Sequence, residues 1–395
     1  MNIEEPSRPS PCHPLWRLAF RAGFLAAGAW GVVAISRWLW WLHWPADWDY
    51  QLSPNWWHAH EMVFGFALPV IAGFLLTAVA TWTGLPGTRG RRLQCLFGLW
   101  LLARLSLWLA PGQLLLGWAL EMLFMLLLVW ELTGRIASAG QWRNAWFPPL
   151  LLALAAVDTV SHLLARDPLA STRLFYGMLW LVSTLVVIIG GRVIPLFTAN
   201  RLGIQIAPLP AALEYLLIGI TLLTGAIMAL GISTGYQTGF RALCLTAAAL
   251  HLYRLLHWQS WRTAGVPLLW SLHLSYLCIP LTLIALALVA GEPVLEKHAM
   301  HLLAIGTVGG MILSMMSRVA LGHTGRPLEI PRYLALAFAL LLLAAFTRSV
   351  LPMLLPATST LAWRISAWSW VAAFTLFIWH YLPILTRARV DGKDG

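Results

Sequence analysis

Residues 53–66 read Ser53-Pro54-Asn55-Trp56-Trp57-His58-Ala59-His60-Glu61-Met62-Val63-Phe64-Gly65-Phe66, and an apolar stretch continues from there to residue 82. A helix needs about 20 apolar residues to cross a bilayer, so the run over 55–82 is long enough to span one. Ser53 stands at the N-cap and Pro54 at the first helical position, where a missing N–H costs nothing. Two imidazoles and a carboxylate then fall inside the first turns. At 1.5 Å per residue, His58 and His60 lie roughly 6–9 Å along the helix from its start. Ionisable groups at that depth are expensive and mark function by default. Two residues apart on a helix, they point about 200° away from each other. One metal ion is therefore not expected to take both unless the first turn is irregular.

Eleven further runs of this kind follow or precede it. The twelve spans are 18–42, 55–82, 93–109, 113–132, 146–165, 174–196, 209–230, 240–258, 266–290, 294–317, 333–351 and 362–385. The composition agrees, with 59% hydrophobic and 10% charged residues in 395. Soluble domains carry about 25% charged residues, so a soluble enzyme is excluded, and a disordered chain needs far more charge. The expected fold is all-α: a polytopic membrane bundle of twelve helices. It forms a single domain over 1–395, with polar tails at 1–14 and 386–395. The first helix is expected to be retained, since no small-residue cleavage site follows a short apolar core.

The net charge of +11 has a topological explanation. Seventeen of the 26 Lys and Arg fall in the tails and the even-numbered loops. The odd-numbered loops hold three, Arg166, Arg173 and Lys297. The positive-inside bias then places both termini in the cytoplasm and removes any need for nucleic acid as a partner. Tryptophans gather near helix ends (Trp38, Trp40, Trp41, Trp44, Trp48, Trp56, Trp57), as an interfacial aromatic belt would have them. The four cysteines form no C-x-x-C or C-x-x-C-H. A zinc ribbon and covalent haem are therefore not expected, and any haem would be held non-covalently.

Helix 10 opens much as helix 2 does, with Glu292-Pro293-Val294-Leu295-Glu296-Lys297-His298-Ala299-Met300-His301. His298 and His301, three apart, share a face. With His58 and His60 they are expected to form one layer of imidazoles that ligates a metal or haem. Imidazole suits iron and copper alike. A shift of 241 carries His60 onto His301, Gly65 onto Gly306, Thr83 onto Thr324, Gly84 onto Gly325 and Pro86 onto Pro327. A shift of 126 carries Arg192, Val193 and Thr198 of helix 6 onto Arg318, Val319 and Thr324, with Phe175 in the place of His301. Helices 2, 6 and 10 thus read as a four-helix pseudo-repeat. That arrangement is similar to the haem-copper oxidase catalytic subunit, an analogy of fold alone. Among the other buried polar groups, Arg104 and Glu121 pair with each other, or Arg104 holds a haem propionate. Asp158 and His162, four apart, pair on one face or relay protons. His273 with Tyr276, His251 and His257 read as satisfied core histidines. The loop Gly322-His323-Thr324-Gly325-Arg326-Pro327 is a helix stop, or a place where His323 and Arg326 meet an anion.

Several longer segments carry a family signature: His58-Ala59-His60-Glu61-Met62-Val63-Phe64-Gly65-Phe66, Gly73-Phe74-Leu75-Leu76-Thr77-Ala78, Trp82-Thr83-Gly84, and Gly191-Arg192-Val193-Ile194-Pro195-Leu196-Phe197-Thr198. So do Leu269-Trp270-Ser271-Leu272-His273-Leu274-Ser275-Tyr276, His298 to His301, and Arg318 to Pro327. Together they resemble the NnrS family. The resemblance implies a twelve-helix bacterial inner-membrane protein that holds b-type haem and copper, engages nitric oxide and limits nitrosative stress. The family's functional histidines would map to His58, His60, His298 and His301, then His273 and His323, with Arg104 and Glu61 supporting them. Whether there is turnover stays open. Helix 6 offers no histidine and there is no adjacent His-His pair, which argues against a true haem-copper oxidase. Two rival functions stand beside this one: a proton-coupled secondary transporter using Asp158, His162 and Glu121, and a respiratory oxidase or reductase.

Overall fold

A computed structural model of the chain describes residues 12–47, 52–109 and 113–392. Trp48, residues 1–11 of the expected N-tail and residues 393–395 of the expected C-tail lie outside the described residues. Among those described there are twelve long helices and no strand. They are α1 Ala19–His43, α2 Pro54–Thr83, α3 Arg91–Leu109, α4 Leu114–Ser138, α5 Phe147–Leu163 and α6 Pro168–Leu202. After these come α7 Ala211–Ala229, α8 Gln237–His257, α9 Pro267–Val289, α10 Pro293–His323, α11 Arg332–Leu354 and α12 Ser359–Thr386.

Eleven helices are long and apolar enough to cross a membrane; α8 falls short of that hydropathy. Its sequence carries Gln237, Arg241, His251, Arg254 and His257. The chain is thus a multi-pass, all-α membrane protein. Helix α4 runs six residues beyond the sequence expectation, and α6 and α10 also run on. An apolar window closes at the first charged residues, such as Arg135, Arg201 and Arg318. Backbone hydrogen bonding continues through them wherever the long side chains reach the interface.

The described residues divide into two compact units. One comprises residues up to Ser171 with Met316–Leu328 and those from Phe377 on. The other comprises Thr172–Met315 and Glu329–Leu376. In the first unit, α2 packs against α1 and α4, and α4 packs against α3 and α5. In the second, α9 packs against α8 and α10.

The repeat between α2 and α10 extends to their backbones. Both helices widen into a π segment just after their aligned histidines, over Glu61–Ala67 in α2 and Leu302–Gly309 in α10. The shift of 241 carries 61 to 302 and 67 to 308. The hydrogen bonds that close the two segments are Leu68 N–H to Val63 O and Gly310 N–H to Ile305 O, so the α10 segment closes one residue later than the shift of 241 would place it. Near the far ends, Thr83, Thr198 and Thr324 each donate to the carbonyl four residues back, at 2.6, 2.8 and 2.7 Å. Gly84 and Gly325 then turn the chain with φ of +69° and +72°, a region open to glycine but strained for other residues. Helix α6 shares the threonine but stays α-helical throughout.

Candidate metal centre

Trp56 anchors the opening of α2 to α5. Its indole N–H donates to the Ser161 carbonyl at 3.0 Å, and its ring stacks on His60 at 4.7 Å. Phe64, one turn on, packs its ring against the imidazole at 4.9 Å, tilted by 31°. His60 is therefore packed against two aromatic rings, and its nitrogens act through the ring edge. At that edge stand Glu61 from the same helix, Arg104 from α3, Glu121 from α4 and Asp158 and His162 from α5. His60, Glu61, Arg104 and Asp158 have no exposure to solvent.

The contacts form one connected set. Glu61 accepts from Arg104 NH1 at 2.9 Å through Oε1 and from the Trp30 indole at 2.7 Å through Oε2. Its Oε1 also faces His60 Nδ1 at 3.2 Å. Arg104 NH2 donates to Glu121 Oε1 at 2.5 Å. His60 Nε2 faces two carboxylates at 3.2 Å each, Glu121 Oε2 and Asp158 Oδ1. His162 Nδ1 lies 3.1 Å from the Asp158 backbone carbonyl and 3.4 Å from its Oδ1. Glu61 requires the space beside it: a Cβ on Gly65 would come within 2.2 Å of Trp30 Nε1. That position must stay glycine for the indole to reach the carboxylate.

One proton assignment gives this set the free donor atoms that a metal ion would need. With its Nδ1–H on Glu61, a neutral His60 turns its Nε2 lone pair toward two carboxylates. His162, with Nδ1–H on a backbone carbonyl, likewise keeps its lone pair at Nε2. Such second contacts are the usual way a protein fixes a ligating histidine. In this set the buried acceptor atoms without hydrogen-bond partners are His60 Nε2, His162 Nε2, Glu121 Oε2 and both Asp158 carboxylate oxygens, alongside one donor, Arg104 Nε. The acceptor atoms carry lone pairs, and one from each of His60, Glu121, Asp158 and His162 can be chosen so that all lie within 4.8 Å of one another. Unpaired buried polar atoms cost about 1–3 kcal/mol each, and here they converge. The charge balance points the same way. Glu61, Glu121 and Asp158 against Arg104 leave two negative charges in a site with almost no solvent. A divalent cation or two imidazolium protons would cancel them.

Of the other expected site residues, His58 faces away from this centre and stacks on Trp38 at 4.3 Å. The first turns are regular α-helix up to His60, so the two histidines diverge as their spacing requires. Arg104 is held by Glu61 and Glu121. In the second unit, His298 Nδ1 accepts from Arg348 NH1 at 2.9 Å. Because a guanidinium only donates, a neutral His298 carries its proton on Nε2 and offers no lone pair there. His301 is half-buried and turns Nδ1 to the Lys297 carbonyl at 2.7 Å. His273 faces hydroxyls with both nitrogens, Thr198 at 2.9 Å and Ser260 at 2.8 Å. His323, in the first unit, packs its ring on Phe20 at 5.4 Å.

The sequence singled out His60 but read Glu121, Asp158 and His162 as simple pairs. The i, i+4 spacing of Asp158 and His162 was the available signal, and nothing in it tied them to helix α2. A second buried network also emerges in the second unit. His251 Nδ1 meets the Tyr276 hydroxyl at 2.8 Å, Arg254 donates to that hydroxyl at 3.1 Å, and Arg254 pairs with Glu214.

Compared with known protein families, residues 14–389 match the family described as NnrS protein. The chain belongs to the NnrS family. A search among curated proteins finds no match. For this NnrS-family protein the match covers every helix described above and runs through all the residues of the buried centre.

Proposed function

We propose that this protein binds transition metal in the buried centre of its first unit and uses it to engage nitric oxide, protecting cells against nitrosative stress. One observation carries the reading: the lone-pair atoms of His60, His162, Glu121 and Asp158 converge without partners inside a membrane-spanning unit. Family membership supports the link to nitric oxide. Two imidazoles and two carboxylates suit iron or copper, and the set lacks the thiolate or thioether that selects copper in its lower oxidation state. A bound ion of this kind supplies a centre with affinity for nitric oxide. The chain's own part is to hold the ligands. Glu61 and the Asp158 carbonyl orient the two imidazoles, Arg104 sets two carboxylates, and Trp56 and Phe64 exclude water. Haem belongs to the same proposal. His301 is the second-unit histidine that would hold it.

Metal analysis and a visible spectrum of the purified protein test this. Bound iron or copper that is lost in His60→Ala and Asp158→Ala supports the centre, and full metal content in both variants refutes it. The buried carboxylate of Asp158, facing two imidazoles, also suits a proton-coupled transporter. A colourless, metal-free protein that still moves a solute would favour that alternative, in which Asp158, His162 and Glu121 carry the protons.

A further inference from the structure

The loop Gly322–Pro327 is not part of the buried centre, and it is built in an unusual way. The chain beyond α12 folds back on it. Val390 N–H donates to the Thr324 carbonyl at 3.4 Å, and Arg389 NH1 to the His323 carbonyl at 3.4 Å. The Asp391 carboxylate lies over Gly325, where a Cβ would stand 3.1 Å from it. Arg21 of α1, with no solvent exposure, donates NH1 to the carbonyls of Leu385 at 2.9 Å and Arg387 at 2.8 Å. A cation thereby caps the C-terminal end of α12, where the helix dipole favours it.

These contacts gather like charges. Arg17, Arg326 and Arg389 are close enough to Arg21 to repel it, Arg387 repels Arg326, and Arg389 and Arg21 act on His323. Asp391 is taken up by Arg389 in a two-pronged pair at 2.7 and 2.6 Å. Neither Arg326 nor Arg387 has a carboxylate partner among the described residues. A positive-inside bias asks only that arginines lie on one side of the membrane. It does not ask that five of them be drawn together by main-chain hydrogen bonds and a buried cap. Arginines carried on a loop and on the segment hydrogen-bonded back onto it match one ligand chemistry, a tetrahedral oxyanion with several acceptor oxygens.

We propose that the Gly322–Pro327 loop and the returning segment Arg387–Asp391 form a binding site for a phosphate-type oxyanion, held chiefly by Arg326 and Arg387. A phospholipid headgroup and free phosphate share that chemistry, and the test separates them. The full chain in detergent is offered equal amounts of phosphatidylglycerol and phosphatidylcholine, and retained lipid is read by native mass spectrometry. In parallel, inorganic phosphate is titrated against thermal unfolding. The wild type retains phosphatidylglycerol roughly tenfold over phosphatidylcholine, and Arg326→Gln/Arg387→Gln loses most of that preference. Arg143→Gln, an exposed arginine on another loop, keeps it. If phosphate alone stabilises the wild type and not the double variant, with no lipid preference, the oxyanion is the soluble one. The single variant Arg387→Gln, at an exposed position, gives a partial loss without risk to the fold. The proposal is overturned if the wild type shows neither response, or if the double variant shows both at full strength.

Discussion

Replacing Arg104 with methionine removes the single guanidinium from the buried centre and keeps most of its volume. Arg104 makes two charged contacts, at 2.9 Å to Glu61 and 2.5 Å to Glu121. Each is worth about 4 kcal/mol of attraction at an effective dielectric constant near 20. Part of that sum offsets the cost of burying the guanidinium, so the net loss on removing one partner of a buried set is about 3–5 kcal/mol. The variant leaves three carboxylates facing one another with no cation but whatever protons the two imidazoles take up. In chelator-treated protein, the unfolding midpoint followed by far-UV circular dichroism should fall by on the order of 10 °C. Two additions should each return a good part of it. Glu61→Gln removes one unbalanced charge and leaves all four proposed ligands in place. A divalent metal ion supplies two positive charges where Arg104 supplied one. The reasoning fails if Arg104→Met melts within about 2 °C of the wild type. It fails equally if Glu61→Gln lowers the midpoint of the Arg104→Met protein further.

Three further outcomes follow from the same structure. Gly65→Ala should lower stability by about 2–4 kcal/mol, because the added methyl overpacks against Trp30 and breaks a hydrogen bond to a charged group; shortening Trp30 to leucine in that background should recover the overpacking share, read by thermal melting. His162→Ala should deplete bound metal while His298→Ala leaves it in place, since Arg348 already occupies the His298 lone pair; metal analysis of the two purified variants distinguishes them. In a cysteine-free background, single cysteines at Gln113 and Gly235 should react with an impermeant thiol reagent added outside intact cells, whereas one at Gly140 should not; the reverse pattern would invert the assigned orientation.

The helices were legible in the sequence because a bilayer imposes a length and a hydropathy that a single chain must satisfy alone. That held even for α8, whose polar residues keep it below the hydropathy of the rest. Its Arg254 is hidden from solvent by pairing with Glu214 and by Tyr276, a compensation made by other helices. The centre was legible only in part, for the same reason. Periodicity shows which residues share a helix face. It does not show that position 60 meets positions 121 and 158, contacts that depend on how α2, α4 and α5 pack. Asp158 and His162 were visible as a pair, and Arg104 with Glu121 as another. That the two pairs close on one imidazole is a tertiary fact. The π segments were equally invisible, since their residues are as apolar as the helices that contain them.

Those π segments make α2 and α10 two helices each, out of phase and joined end to end. A π segment takes up one residue more than α-helix would over the same span, so everything beyond it is swung by about 100°. The histidine-bearing opening and the long apolar remainder can thus be aimed at different neighbours within one unbroken rod. A one-residue deletion between 61 and 67 would leave the rod intact and hydrogen-bonded, yet point His60 away from Glu121 and Asp158. The π segment of α10 begins at the same offset, right after the aligned histidine. An ancestral segment that already carried the phase jump, copied once and then diverged, accounts for both with a single insertion where independent origins would need two.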